Sequence, residues 1–337
     1  MEIQYIHYTP EWHDRLLAFM LSVYPHRNAE YLKWWIDNLD KAGSEYWDKS
    51  PLILESGNQI VGCTTVNPIS IINRNNTESF FCWGNTIISP NQRGKGISKE
   101  IYNERNLFNN WLAIGITELA WKIQLKYVTT FTPLRPINVY IGVNRKIVAQ
   151  LLKKLFRVSN SSLSEVSFPL QLKINGHDEI RRIKNVSEME IPSDGNWMGD
   201  DVEFVRDEAF IQKRFFDIYC AERYGVYQYM SKDKSIGYVI LRKTRYKGLE
   251  MISLVDYRFH SRKDELQAFK VAAKVARLNH IGLVLALSSR DYGNRLTSLL
   301  IKMKKLNCAT GCKDYADQFN DTLFTSADSD LDFVYYM

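Results

Sequence analysis

No run of eighteen apolar residues occurs in this chain, so no segment is long and apolar enough to cross a bilayer as a helix. The opening residues, Met1-Glu2-Ile3-Gln4, offer neither a cationic start nor an apolar core, and no signal peptide is expected. Cysteine is scarce and odd in number, with five thiols at no disulfide-framework spacing. The nearest two, Cys308 and Cys312, lack a second pair or a nearby histidine, so no metal is expected. Free thiols in a reducing cytoplasm are the expectation that follows. Charge of one sign is also in short supply: 44 Lys and Arg against 38 Asp and Glu leave +6. A dense basic stripe interleaved with aromatics is missing, and no nucleic-acid partner is expected. Two familiar phosphate patterns are absent as well, the Walker A loop and the dinucleotide Gly-x-Gly-x-x-Gly.

What is present is a globular composition, 45% hydrophobic and 24% charged over 337 residues, enough for two domains. The most telling stretch runs from Asn85 to Ser98. Strand-forming residues through Ile87 and Ile88 end at Ser89-Pro90. A loop follows with two cations and two glycines: Arg93, Gly94, Lys95, Gly96. A helical pattern then begins at Ile97-Ser98 and continues through Ile101 and Leu107-Phe108. Strand, Gly-rich basic loop and helix form an anion cradle. Glycines accept φ > 0 and let backbone amides converge, and the helix start adds positive potential.

The spacing Arg93-x-x-Gly96-x-Ser98, with Pro90 upstream, resembles the pyrophosphate signature of the GNAT acyltransferases, with Ser98 where that family has Gly or Ala. The surrounding order fits. Pro51 to Glu55 and Gln59 to Val66 read as a hairpin about Ser56-Gly57-Asn58, and Phe80 to Ile88 as the next strand. Trp111 to Ile116 reads as a buried strand, and Thr117 as the cap of a helix through Tyr127. The resemblance implies acetyl-CoA or another acyl-CoA as co-substrate, bound by Ile87, Ile88 and the loop Arg93, Gly94, Lys95, Gly96, Ile97 and Ser98, with no metal. It also implies a general-acid tyrosine on the helix after Thr117. Gln124 occupies that slot here, and Tyr127 lies one turn later, where packing is the competing role. His26 is the candidate base, set against a plain surface histidine, with Glu78 and Asp37 behind it.

In the second half, a helix over Val205 to Phe216 precedes three strands, Gly225 to Met230, Ser235 to Thr244 and Leu249 to Tyr257. A helix over Asp264 to Leu278 with Ser261 as cap, a strand over Ile281 to Ser288 and a helix over Asn294 to Lys305 complete the pattern. This repeats the first half, so the fold expected is α+β: two tandem GNAT-like domains, 1–145 and 146–337, each a mixed, mostly antiparallel sheet flanked by helices. At the place of the anion loop the second copy has Asp256 to Arg262, with no glycine and an acid that would repel phosphate. It should shape the acceptor pocket instead. The run from Arg206 through Asp207, Phe210 and Arg214 to Phe215, followed by Tyr224, Tyr227 and Tyr229, resembles two-domain GNAT proteins of bacterial surface-polysaccharide gene clusters.

The function these readings imply is transfer of an acyl group to an amine of a small polar acceptor, such as an amino sugar. Asn85, Arg214, Tyr227 and Tyr229 are the acceptor candidates. Tyr227 and Tyr229 share one strand face, so both meet the acceptor or both lie in the core. The alternatives are an acyl-CoA-binding sensor without turnover and an aminoacyl transferase of the peptidoglycan-bridge type.

Overall fold

The computed structural model describes residues 3–24, 29–41, 52–74, 76–108, 110–155, 167–200, 202–246, 249–293 and 300–328. The chain divides into two compact units: Met1–Ser70, Glu78–Pro136 and Leu306–Asn320 in the first, and Ile71–Thr77, Ile137–Lys305 and Asp321–Met337 in the second.

The first unit holds strand β1 (Gln4–His7), helices α1 (His13–Val23) and α2 (Ala29–Lys41), and a hairpin of β2 (Leu52–Ser56) and β3 (Gln59–Asn73). Strand β4 (Asn76–Ile88), α3 (Ser98–Arg105), β5 (Trp111–Ile116) and α4 (Glu118–Tyr127) follow. The hairpin turns on Gly57 and Asn58, both left-handed (φ 57° and 62°), as a two-residue turn between twisted strands requires. The Thr117 hydroxyl caps α4 by accepting the Ala120 amide. The sheet order is β1-β2-β3-β4-β5. Strands β4 and β5 run parallel, and the far edge of β5 is covered antiparallel by residues Asn307 to Thr310. Phe81, Trp83, Tyr102, Trp111 and Ala113 form the core of this unit beside α3 and α4.

In the second unit β6 (Thr132–Val143), α5 (Lys146–Leu155), β7 (Gln171–Asn175), β8 (Asp178–Arg182), β9 (Val202–Phe204) and α6 (Glu208–Ile211) lead into β10 (Tyr224–Ser231), β11 (Lys234–Tyr246) and β12 (Leu249–Phe259). Then come α7 (Leu266–Leu278), β13 (Leu283–Ser288) and β14 (Leu300–Thr310), whose residues from Leu306 onward belong to the first unit. The order is β6-β13-β12-β11-β10-β8-β7, antiparallel except for the parallel pair β12 and β13. Helix α7 buries Ala268, Phe269, Val271, Ala272, Val275 and Ala276 against that sheet. Hairpin, parallel strand pair and intervening helix thus occur twice, and each unit is the expected mixed sheet flanked by helices.

Three local expectations are corrected. Residues 300–305, expected as the end of a helix, begin a strand: Leu300 and Met303 satisfy helical spacing, but the segment is drawn into the sheet as β14, whose later residues Asn307 to Thr310 ladder with β5. Helix α7 starts at Leu266, and the Ser261 hydroxyl accepts the Lys263 amide upstream of it instead of capping it. The helix expected from Val205 begins at Glu208, capped by Asp207 through the Phe210 amide, and passes into a π turn over Gln212–Phe216.

Candidate functional site

Strand β4 ends in a Pro90–Gln92 turn, and the Ser89 amide is tied to the Val61 carbonyl. Gly94 and Gly96 then take φ of +79° and +76°, left-handed values that a side chain resists. A Cβ built on either would meet nothing within 4 Å, so the space above the loop is open. Among the described residues the amides of Gly94, Lys95, Gly96 and Ile97 make no hydrogen bond, and Ser98 opens α3 directly behind them. Arg93 folds back, its Nε donating to the Ile88 carbonyl at 3.0 Å, and Lys95 Nζ donates to Gln92 Oε1 at 2.9 Å. The loop is thereby braced while its amides stay uncommitted beside two cations. An anion of more than one charge is what such a cradle takes.

Next to the cradle the sheet opens. Among the described residues β4 and β5 pair at Phe81–Trp111 and Cys82–Leu112 and no further, although β4 continues to Ile88 and β5 to Ile116. Beyond Cys82 the two strands diverge into a wedge whose facing backbone groups have no ladder partner across it. An extended arm carrying amide groups can pair with such an edge as an added strand would.

The predicted residues distribute unevenly around this geometry. Ile87, Ile88 and the loop from Arg93 to Ser98 lie together at the open end of the wedge. Gln124 is buried on α4 with Oε1 unpartnered, on the helix face shared with Ala120 and Tyr127, which pack on the aromatic core. Tyr127 is part of that packing, with Lys126 Nζ 5.2 Å from its ring. Asn85 stands on β4 along the wedge. His26 lies outside the described residues. Asp37 is held by His13 Nε2 at 2.8 Å and Lys33 at 3.0 Å, and Glu78 accepts the Tyr315 hydroxyl at 2.8 Å. Among the described residues no group of three His, Cys, Asp or Glu is arranged to hold a metal ion.

In the second unit Arg214 is buried beside Phe215. Tyr227 and Tyr229 are wholly inside that unit's core, Tyr227 against Phe168 and Tyr229 against Phe259. Of the two placements their shared face allowed, the core is the one adopted, and it leaves their rings no surface for an acceptor. Burial also drives both phenols upward in pKa, beyond any role in proton transfer near neutrality.

Asp256 requires a different account from the one its sequence position suggests. It belongs to β12, is fully buried, and accepts from Arg206 Nε, Arg258 Nη1, Tyr238 and Thr325, each at 2.8 Å. Burial alone would raise its pKa, but Arg206 and Arg258 more than offset that, and the carboxyl stays below the usual range. It is a structural counter-ion, not a phosphate-repelling loop residue. Arg206 also pairs with Asp328 and stacks on Phe210 at 4.2 Å, which explains physically why Arg206, Asp207 and Phe210 occur together.

Sequence reasoning missed Arg105. It ends α3 inside the first unit's core, ringed by aromatic side chains. Its helical spacing from Ile101 and Tyr102 was the available signal.

No protein-family model matches the chain, and no curated protein is similar to it in sequence. Solved structures do share its fold. A GCN5-related N-acetyltransferase from Anabaena variabilis aligns over 91% of this chain and 72% of its own at 11% identity, with a TM-score of 0.51. The N-myristoyltransferase of Saccharomyces cerevisiae with bound myristoyl-CoA aligns over 92% and 82% at 12% identity, with a TM-score of 0.55. A GCN5-related N-acetyltransferase from Kribbella flavida gives 91% and 71% at 12% identity, with a TM-score of 0.50. The fold is therefore GNAT-like across nearly the whole chain.

Proposed function

We propose that the protein is an acyltransferase that moves an acyl group from acyl-CoA to an amine of a small polar acceptor, an amino sugar being the class to test first. The observation that carries this reading is the conjunction of four uncommitted amides on a left-handed Gly loop with a wedge that opens beside it. The loop takes the pyrophosphate, with Arg93 and Lys95 adding charge. The pantetheine arm lies along β4, and the thioester carbonyl meets a backbone donor of residues 83–88. A neutral amine then attacks that carbon, the carbon–sulfur bond breaks, and the coenzyme leaves as a thiolate while the amine's proton passes to water or a base. Gln124 can donate an amide N–H to a thiolate but cannot protonate it. Such help is worth roughly 10²–10⁴-fold where an acid supplies it, so turnover is expected to be slow and not absent.

The fold likeness to GNAT and N-myristoyltransferase structures supports the coenzyme side of this reading. Thiol release from acetyl-CoA, followed with a thiol reagent over a panel of amino sugars and polyamines, is the direct test. Thiol release that depends on one amine supports transfer. Tight coenzyme binding with no release for any amine favours the second reading, a sensor of acyl-CoA, for which Gln124 at the acid position is the specific observation.

A further inference from the structure

Arg105 is the last residue of α3 and is 2% exposed. Its guanidinium carbon lies 5.1 Å from the Trp83 ring centroid, 5.4 Å from Tyr102 and 5.5 Å from Trp111. No carboxylate accompanies it among the described residues. Only the Tyr102 phenol and the Cys82 thiol act on its charge, and burial lowers its pKa to about 10. Nε and Nη1 are fully buried with no acceptor, and so are the indole N–H groups of Trp83 and Trp111. Four buried donors on three neighbouring side chains therefore go unmatched in one aromatic cluster. Ring faces stabilise a cation, but they do not supply lone pairs to N–H groups pointing in the guanidinium plane.

The position of this cluster gives it meaning. Trp111 sits in the ladder pair opposite Phe81, and Trp83 is the first β4 residue past the last pair, Cys82–Leu112. The cation thus stands at the closed end of the wedge, while the anion loop stands at its open end. From Ile88 to Trp83 is five residue steps, ~17 Å of strand. A chain entering at the loop and running down β4 ends at Arg105.

We propose that this cluster is a binding site for the far end of the acyl group, and that the acyl donor is the coenzyme A monothioester of a dicarboxylic acid, its free carboxylate held by Arg105 and the two indole N–H groups. An acceptor-only ligand group is what four orphaned donors lack, and a carboxylate supplies one with the charge that a lone guanidinium needs. The inference rests on the acyl-CoA reading above.

Isothermal titration of the full chain with acetyl-, butyryl-, succinyl- and glutaryl-CoA tests it. The expected result is at least tenfold tighter binding of a carboxylate-ended thioester than of the methyl-ended one of matched length. In Arg105→Met that ratio should fall to about one, and Arg105→Lys should restore part of it. The wild-type comparison alone is decisive, so a variant that fails to fold leaves the test standing. If all four thioesters bind the wild type alike, this inference fails and the acyl-CoA reading survives. If neither coenzyme A nor any thioester binds, both fail.

Discussion

Glu203 shows how one buried residue sets a property of the protein. Its Oε2 accepts the Met198 amide at 3.1 Å. Arg258 Nε stands 3.2 Å from Oε1, yet neither atom makes a hydrogen bond. Burial therefore outweighs the attraction of Arg258, and the carboxyl is pushed up to about 7 from 4.5. Between those two values the folded chain holds a proton that the unfolded chain has released. Stability must then fall as pH rises through that window and level off above it, by about 3 kcal/mol at full extent. In Glu203→Gln, which mimics the protonated form, this fall should disappear. Urea midpoints at pH 5 and pH 8 should show wild type and variant similar at the lower pH and the variant more stable at the higher. A variant that tracks the wild type at both pH values would show that the carboxyl titrates normally. Nothing local in the sequence marks Glu203, because the cation beside it, Arg258, comes from β12, far along the chain.

The cradle is an element whose chemistry is almost entirely local, and it was legible for that reason. Pro90, two glycines and two cations lie within seven residues, and their backbone preferences do not depend on distant contacts. The strand Leu300–Thr310 is the opposite case: its own spacing suits a helix, and pairing within the sheet makes it extended. The opening of the wedge could not be read either, since it is defined by where a ladder stops. Because a Cβ on Gly96 meets nothing within 4 Å, the demand for glycine there is one of backbone angle, not of space. Gly96→Ala should accordingly lose about 1–2 kcal/mol of preference for the bound loop shape, roughly tenfold in coenzyme affinity, with a folded protein. Gly96→Glu adds a charge of the wrong sign among the same amides and should abolish binding. Titration calorimetry with acetyl-CoA reads both, and unaltered affinity in the Glu variant would exclude the loop as the pyrophosphate site.

At the scale of the whole molecule the same wedge is built twice and left open once. In the second unit the parallel ladder between β12 and β13 runs from Met251–Leu283 to Leu254–Ala286, and both strands continue beyond it. There the space is spanned by residues 322–328. The Ser289 hydroxyl donates to the Thr322 carbonyl at 2.8 Å and accepts the Phe324 amide at 2.8 Å. The Ser289 amide donates to the Phe324 carbonyl at 3.1 Å, Thr325 reaches Asp256, and Arg258 Nη2 donates to the Leu323 carbonyl at 3.2 Å. Backbone groups that an extended ligand arm would need are thus engaged by the chain itself, and two arginines there are already neutralised by Asp256 and Asp328. Inserting a coenzyme would break these bonds and strand buried charges, a cost of several kcal/mol with no loop amides to offset it. Acetyl-CoA should therefore bind at one site per chain by titration, and Gly96→Glu should leave none. A second site, or residual binding of equal affinity in that variant, would mean that residues 322–328 yield to ligand and that the second wedge is a working site.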